Sequence, residues 1–410
     1  MPSPAAATVP APPLASAPAT GRNVVALGFT SLLTDVSTEM IVPVLPGFVT
    51  GTLRASVASL GVIEGVAECT ATVLRIFSGW LSDRIGRRKA FMLFGYGLST
   101  VAKGTMALAA SWGAVLGLRF SDRVGKGLRN PPRDALIADS VKPDQIGRAF
   151  GLHRALDTLG AALGPLAAFA LLRTWPGQVR RVFLLAAVPA ALALVVLAVF
   201  VSAPRLAPRP GRSLLGDLRG LGPAAHRFLI VAGVFSLAGS SMAFVLLRAG
   251  QAFGATQVPL VYMVYNLVYA LLAWPLGHLS DRIGRRPLLL AAYLSFAACY
   301  AVLAWRATPA SVLAAFVGLG VHSALLEGSQ RSMLADLAGG GTRGTAYGFY
   351  YAVVGAALLP ASIVGGLLWD HVGPAATFGV SAALALLAAA LFAALLPARD
   401  ERRDRDAQPA

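Results

Sequence analysis

Two cysteines in 410 residues exclude a disulfide framework and a cysteine-based zinc site, and both, Cys69 and Cys299, fall inside apolar runs. Charge is scarce as well: Asp, Glu, Lys and Arg make up 13% of the chain against 56% hydrophobic residues. That much apolar surface cannot be hidden inside a water-soluble domain. Also missing are the phosphate loop G-x-x-x-x-G-K-[ST], the zinc motif H-E-x-x-H and the hydrolase motif G-x-S-x-G. ATP-driven pumping and intramembrane hydrolysis lose their motifs, so no enzyme, no cofactor and no resident metal is expected. Residues 1–21 contain no Lys or Arg and therefore lack the basic start of a secretory signal; a disordered cytoplasmic tail is expected there.

The 35 Lys and Arg against 19 Asp and Glu give a formal charge of +16. In a soluble chain this would point to nucleic acid. Here the basic residues sit within a few positions of apolar runs, as expected of loops facing anionic lipid headgroups, so the partner is the bilayer and not nucleic acid.

What is present is a series of apolar runs. A crossing needs about 20 mainly apolar residues, which predicts spans at 24–48, 57–80, 89–110, 112–134, 147–172 and 181–201, then 227–249, 257–277, 287–305, 309–334, 345–369 and 374–397. The expected fold class is an all-α polytopic membrane protein whose twelve transmembrane helices form two six-helix bundles. The expected domains are the tail 1–21, a bundle 22–201, a cytoplasmic linker 202–226 rich in Pro and Arg, a bundle 227–398 and a tail 399–410. Lys and Arg favour the links after even-numbered spans and both ends of the chain, which predicts a multi-pass protein of the plasma or inner membrane with both termini cytoplasmic.

The two halves repeat one another. Gly79-Trp-Leu-Ser-Asp83-Arg84-Ile-Gly86-Arg87-Arg88 returns as Gly277-His-Leu-Ser-Asp281-Arg282-Ile-Gly284-Arg285-Arg286, at an offset of 198. Ala138-Asp139 and Gly147-Arg-Ala-Phe-Gly151 return as Ala335-Asp336 and Gly344-Thr-Ala-Tyr-Gly348, at an offset of 197. Parallel six-helix repeats are one way of building alternating access, with the solute held between the halves. Within the repeated loop, Asp83 can pair with a cation across the interface and Gly79 allows close helix approach.

These residues resemble the major facilitator superfamily over nearly the whole chain, the doubled loop being its most specific mark. The resemblance implies that Gly79, Asp83, Arg84, Gly86, Arg87 and Arg88, with Gly277, Asp281, Arg282, Gly284, Arg285 and Arg286, form a cytoplasmic latch. Three further segments resemble the drug/proton antiporter branch. They are Glu39-Met-Ile-Val-Pro43-Val-Leu-Pro46, then Arg119 followed by Gly125-Lys-Gly127, and Gly160-Ala-Ala-Leu-Gly164-Pro165, whose trailing glycines are replaced by Ala167 and Ala168. The implied function is secondary active transport by alternating access, as proton-coupled export of a small drug-like solute by a monomer. Small-xxx-small spacing at Gly160 and Gly164 also reads simply as helix packing.

Charge inside the apolar spans is concentrated in the first half. Asp35 and Glu39 are expected to exchange protons under the influence of Arg119, and Glu64, Glu68, Arg123, His153, Asp157 and His322 are candidates for solute binding. Two other readings stay open. Glu64, Glu68, His153 and Asp157 form one-turn pairs that could ligate a metal cation as cargo, or the charges could neutralise one another as structural pairs. The basic ladder Arg119, Arg123, Lys126, Arg129 and Arg133 keeps an anionic metabolite or siderophore open as cargo. A drug-like cargo is favoured by the aromatics Phe235, Phe244, Tyr262, Tyr265, Trp274, Tyr350 and Tyr351. A membrane sensor or assembly factor on the same scaffold is the alternative without transport.

Overall fold

The structure is a computed structural model that describes residues 21–203 and 221–396, with side chains at all of these except Trp80, Asp83, Pro143, Asp281 and 339–345. Nearly all of the expected tails 1–21 and 399–410, the centre of the linker 202–226, and the Asp83 and Asp281 side chains of the expected latch lie outside the described residues.

Every regular element among the described residues is helical. In the first half these are α1 (Arg22–Ile41), the short α2 (Leu45–Gly47) leading into a π-helical turn (Phe48–Thr52), and α3 (Val57–Ile85). After them come α4 (Arg88–Thr105), α5 (Trp112–Asp139), α6 (Ile146–Thr174) and α7 (Val179–Phe200). The second half contains α8 (Pro223–Ala238), α9 (Met242–Phe253), α10 (Val258–Ile283), α11 (Arg285–Trp305), α12 (Pro309–His371) and α13 (Pro374–Leu395). Helix α8 thus begins inside the stretch expected as linker. Ten stretches among the described residues are long and apolar enough to cross a membrane. Helices α4 and α5 coincide with the expected spans 89–110 and 112–134 but are not among the ten.

Helix α12 folds back on itself. The Tyr347 hydroxyl donates to the Arg331 carbonyl at 3.0 Å, whereas 16 residues of straight helix would hold the two about 24 Å apart. Its two apolar legs are Pro309–Ala338 and Ala346–His371. Local chemistry starts the helices: Ser56 accepts from the Ser59 amide at α3, and Thr308 forms a capping box with Ser311 at α12.

Helix α7 shows how the sequence divides its faces. Leu184, Val188, Leu192, Val195 and Val199 are exposed at three- and four-residue spacing, whereas Val182, Phe183, Ala186, Ala190, Ala193 and Leu197 are buried. An apolar stripe left outside a packed bundle is the mark of a lipid-facing helix. Packed rings such as Phe228, Tyr293, Phe316 and Phe392 fill the core of the second half.

The repeat is visible in the backbone. Gly86 ends α3 with φ 68°, and Gly284 joins α10 to α11 with φ 92°. Both angles lie where a side chain is strained, which gives the repeated glycine its physical reason. One residue, Arg87, separates Gly86 from α4, whereas α11 follows Gly284 directly. The offset therefore falls from 198 to 197 at this turn, and Arg88, not Arg87, is the structural equivalent of Arg285.

Candidate functional site

The charged residues of α5 recur every three or four positions and so share one helix face. Most of them are committed to partners within the first half. Arg119 grips both oxygens of Glu64: Nη2 lies 2.7 Å from Oε1 and 2.9 Å from Oε2, and Nε lies 3.1 Å from Oε1. Both side chains are buried. One turn along each helix, Arg123 pairs with Glu68 at 2.9 Å. Arg133 pairs with the neighbouring Asp134 at 2.9 Å and donates to Ser31 at 3.1 Å. Asp122 accepts from Ser99, and the buried Lys103 donates to Thr38 at 2.6 Å.

Arg119, expected to act on Asp35 and Glu39, is therefore held by Glu64 instead. Glu64 and Glu68, expected as solute or metal ligands, each hold an arginine. Among the described residues no group of three or more His, Cys, Asp or Glu is placed to hold a metal ion, so the four-residue cation site considered from the sequence does not assemble.

Asp35 and Glu39 are brought to the interior by the small residues of α6. A Cβ added at Gly160 would lie 2.6 Å from the Leu32 carbonyl oxygen, and one at Gly164 would lie 2.6 Å from Glu39 Cβ. The Gly160-x-x-x-Gly164 segment is thus a close-packing seam against the turns that carry the two carboxylates. Asp35 lines a large cavity. Glu39 lies one turn beyond, with Oε2 buried and without a hydrogen-bond partner, facing Tyr262 and Asn266 of α10. Asn266 also donates to the Ala161 carbonyl on α6 at 3.0 Å, which ties the two halves together beside Glu39.

The cavity measures about 1330 Å³ and is lined from both halves of the chain. His153 and Asp157 face it together, His153 Nδ1 lying 3.5 Å from Asp157 Oδ2. His322 does not reach it. Its ring is turned toward α11, with Nδ1 2.8 Å from the Ala292 carbonyl oxygen, and it packs against Phe235 and Phe296. Three of the aromatics thought to favour a drug-like cargo are likewise elsewhere: Phe235, Phe244 and Tyr262 belong to the packed core. Trp274 is 80% exposed on the outer surface, whereas Tyr351 lines the cavity.

Sequence reasoning missed the contacts that join the halves across this space. Arg154 of α6 contacts the Tyr269 hydroxyl and pairs with Glu327 of α12 at 3.2 Å, and Arg331 pairs with the other oxygen of Glu327 at 3.4 Å. The signal was available: Glu327 and Arg331 stand one turn apart beside an apolar span, and Arg154 follows His153. At the far end of α3, Asp370 accepts from the Val57 and Ala58 amides, while Gly61 and Gly366 bring α3 and α12 into backbone contact. The molecule is pinned shut at that end and hollow toward the end that bears the Gly86 and Gly284 turns.

Four basic residues in and beside the repeated loop, Arg88, Lys89, Arg285 and Arg286, make contacts inside their own halves. Arg88 contacts Asp139 and Arg285 contacts Asp336, the same pairing twice at an offset of 197. Lys89 donates to the Val201 carbonyl at 2.7 Å beyond α7, and Arg286 to the Leu396 carbonyl at 2.7 Å beyond α13. These contacts anchor helix ends, as cations near C-terminal carbonyls do.

The sequence matches the profile of the Major Facilitator Superfamily over residues 27–247 and again over 228–409. The chain belongs to that superfamily. An uncharacterized MFS-type transporter of Methanocaldococcus jannaschii is 34% identical over 383 residues, which cover 90% of this chain and 94% of the relative. The multidrug resistance protein MdtH of Salmonella arizonae is 25% identical over 302 residues, covering 71% of this chain and 72% of that protein. Among solved structures, a point mutant of the nucleoside transporter NupG superposes with a TM-score of 0.79 at 14% identity, covering 91% of this chain and 99% of that one. The major facilitator chain described here is accordingly a multi-pass membrane transporter of small molecules and not an enzyme.

Proposed function

We propose that this transporter is a proton-coupled secondary carrier with twelve membrane-crossing helices, working as a monomer in the cell membrane with both termini cytoplasmic. The halves 22–201 and 227–398 rock about the cavity in alternating access, and the solute is a polar organic molecule carrying negative charge. The observation that carries the cargo reading is the cavity wall, where six Lys and Arg face four Asp and Glu. Four of those cations, Arg75, Lys126, Arg129 and Arg133, come from α3 and α5. Nε of Arg75, and Nε and Nη1 of Arg129, are buried without a hydrogen-bond partner, so their binding capacity is unspent. A wall of one prevailing sign favours a solute of the other.

Proton coupling is assigned to Asp35, on the cavity wall, and Glu39, buried one turn beyond it at the join of the halves. Carboxylates whose surroundings change between two access states can load and release protons. Export of a drug-like solute is the second reading, supported by the likeness to a multidrug resistance protein. Proteoliposomes containing a pH-sensitive dye test the coupling. Asp35→Asn or Glu39→Gln should abolish solute-driven proton movement, and intact coupled flux in both variants would remove it.

A further inference from the structure

Beside the large cavity lies a smaller one of about 450 Å³, lined by Arg154, Arg331 and Glu327 together with Tyr265, Tyr269, Tyr350 and Tyr351. Two arginines here share one carboxylate. Arg154 Nη2 lies 3.2 Å from Glu327 Oε2 and Arg331 Nη2 lies 3.4 Å from Oε1, so the local balance is one positive charge in excess. Neither contact is a close, forked guanidinium–carboxylate pair of the kind that Arg119 makes with Glu64, and both arginine side chains are 51% exposed. The pair can be opened by a better acceptor. Arg154 comes from α6 and Arg331 from α12, so whatever bridges them also bridges the halves.

The surroundings narrow what that acceptor is. The Arg154 guanidinium lies 5.2 Å from the centre of the Tyr269 ring, and Tyr350 and Tyr351 stand edge to face with centroids 5.3 Å apart. Arginine planes and tyrosine faces together accept a flat ring that carries an oxyanion. We propose that Arg154 and Arg331 are an anion clamp for the carboxylate or phosphate of an aromatic solute, and that Glu327 is the tethered competitor which that anion displaces. This deepens the anionic-solute reading above and rests on it. A solute anion accepting from both arginines couples binding to the relative position of the halves, while the freed Glu327 prevents the clamp from holding its cargo too tightly.

The full chain purified in detergent tests the clamp by calorimetric titration with phenyl phosphate and benzoate, with benzyltrimethylammonium as the cationic counterpart. Removing a competing charged hydrogen bond should tighten the anion probes about tenfold in Glu327→Gln, and removing a clamp arm should weaken them about tenfold in Arg154→Gln and Arg331→Gln. Arg306→Gln, outside the cavities beside Trp305, should leave them unchanged. If Glu327→Gln fails to fold, Glu327→Asp should show the same sign at smaller size. A purely structural ion pair would lose thermal stability in Glu327→Gln with no gain in anion affinity, which overturns the proposal. So does displacement of phenyl phosphate by phosphatidylglycerol, which would make the clamp a lipid-headgroup site. Anion binding lost in Arg129→Gln but untouched in Arg154→Gln and Arg331→Gln overturns the clamp and leaves the anionic cargo standing. Wild-type protein that binds only the cationic probe overturns both.

Discussion

Asp370 caps α3 from the opposite half of the chain, its Oδ2 accepting from the Ala58 amide at 2.7 Å while Oδ1 accepts from Val57 at 3.1 Å. A helix start leaves amide protons without partners, and here the acceptor comes from more than 300 residues away. The bond exists only while the α3 end and the α12 end are together, so it favours closure at that end of the molecule.

Asp370→Ala should therefore shift the carrier toward the conformation open at this end. A lost cap is worth about 1 kcal/mol, or roughly a fivefold change in population. Spin labels at Leu53 and Val372, in a background lacking Cys69 and Cys299, would report a longer distance. An unchanged distance distribution would show that Asp370 does not bias the gate.

The Arg119–Glu64 pair leads to a stability prediction. Glu64→Gln removes the nearer of two buried carboxylates and leaves Arg119 only Asp122, at 3.8 Å; breaking a buried pair outright costs about 3–5 kcal/mol, which is the upper bound here. Thermal unfolding in detergent should show a large loss for Glu64→Gln, and the double replacement Glu64→Leu with Arg119→Met should recover part of it. A wild-type melting temperature for Glu64→Gln would mean that the pair contributes nothing to the fold.

Gly164 and Gly151 make a controlled comparison on one helix. A Cβ at Gly164 meets Glu39 Cβ at 2.6 Å and the Val36 carbonyl oxygen at 2.8 Å, whereas a Cβ at Gly151 meets nothing within 4 Å. Gly164→Ala should cost about 1–3 kcal/mol by overpacking the α1–α6 seam. Gly151→Ala should be neutral or slightly stabilising, since alanine is the better helix former. Equal melting temperatures for the two variants would contradict the seam.

Hydropathy and repetition are properties of neighbouring residues, so a linear chain displays them directly. The apolar runs, the positions of the helices, the repeat near an offset of 198 and the resemblance to the superfamily all come from local pattern. The same holds for the small-residue seam, because Gly160 and Gly164 stand one turn apart on any helix. Even α4 and α5, too charged to pass as apolar spans, are located by length and by the links on either side.

Partner choice among the buried charges belongs to the tertiary structure. Each residue turns a helix by about 100°, so whether Arg119 meets Glu64 or Glu39 depends on the rotation and crossing of α1, α3 and α5, which no single segment encodes. His322 turns away from the cavity, and Arg154 meets Glu327 across 173 residues of chain, for the same reason. The sequence by itself determined that this chain crosses a membrane as a duplicated helical bundle, because burial in lipid is decided helix by helix. Only the packed structure decided which charges are spent on one another and which line the cavity, because a side chain's partner is set by the relative placement of separate helices.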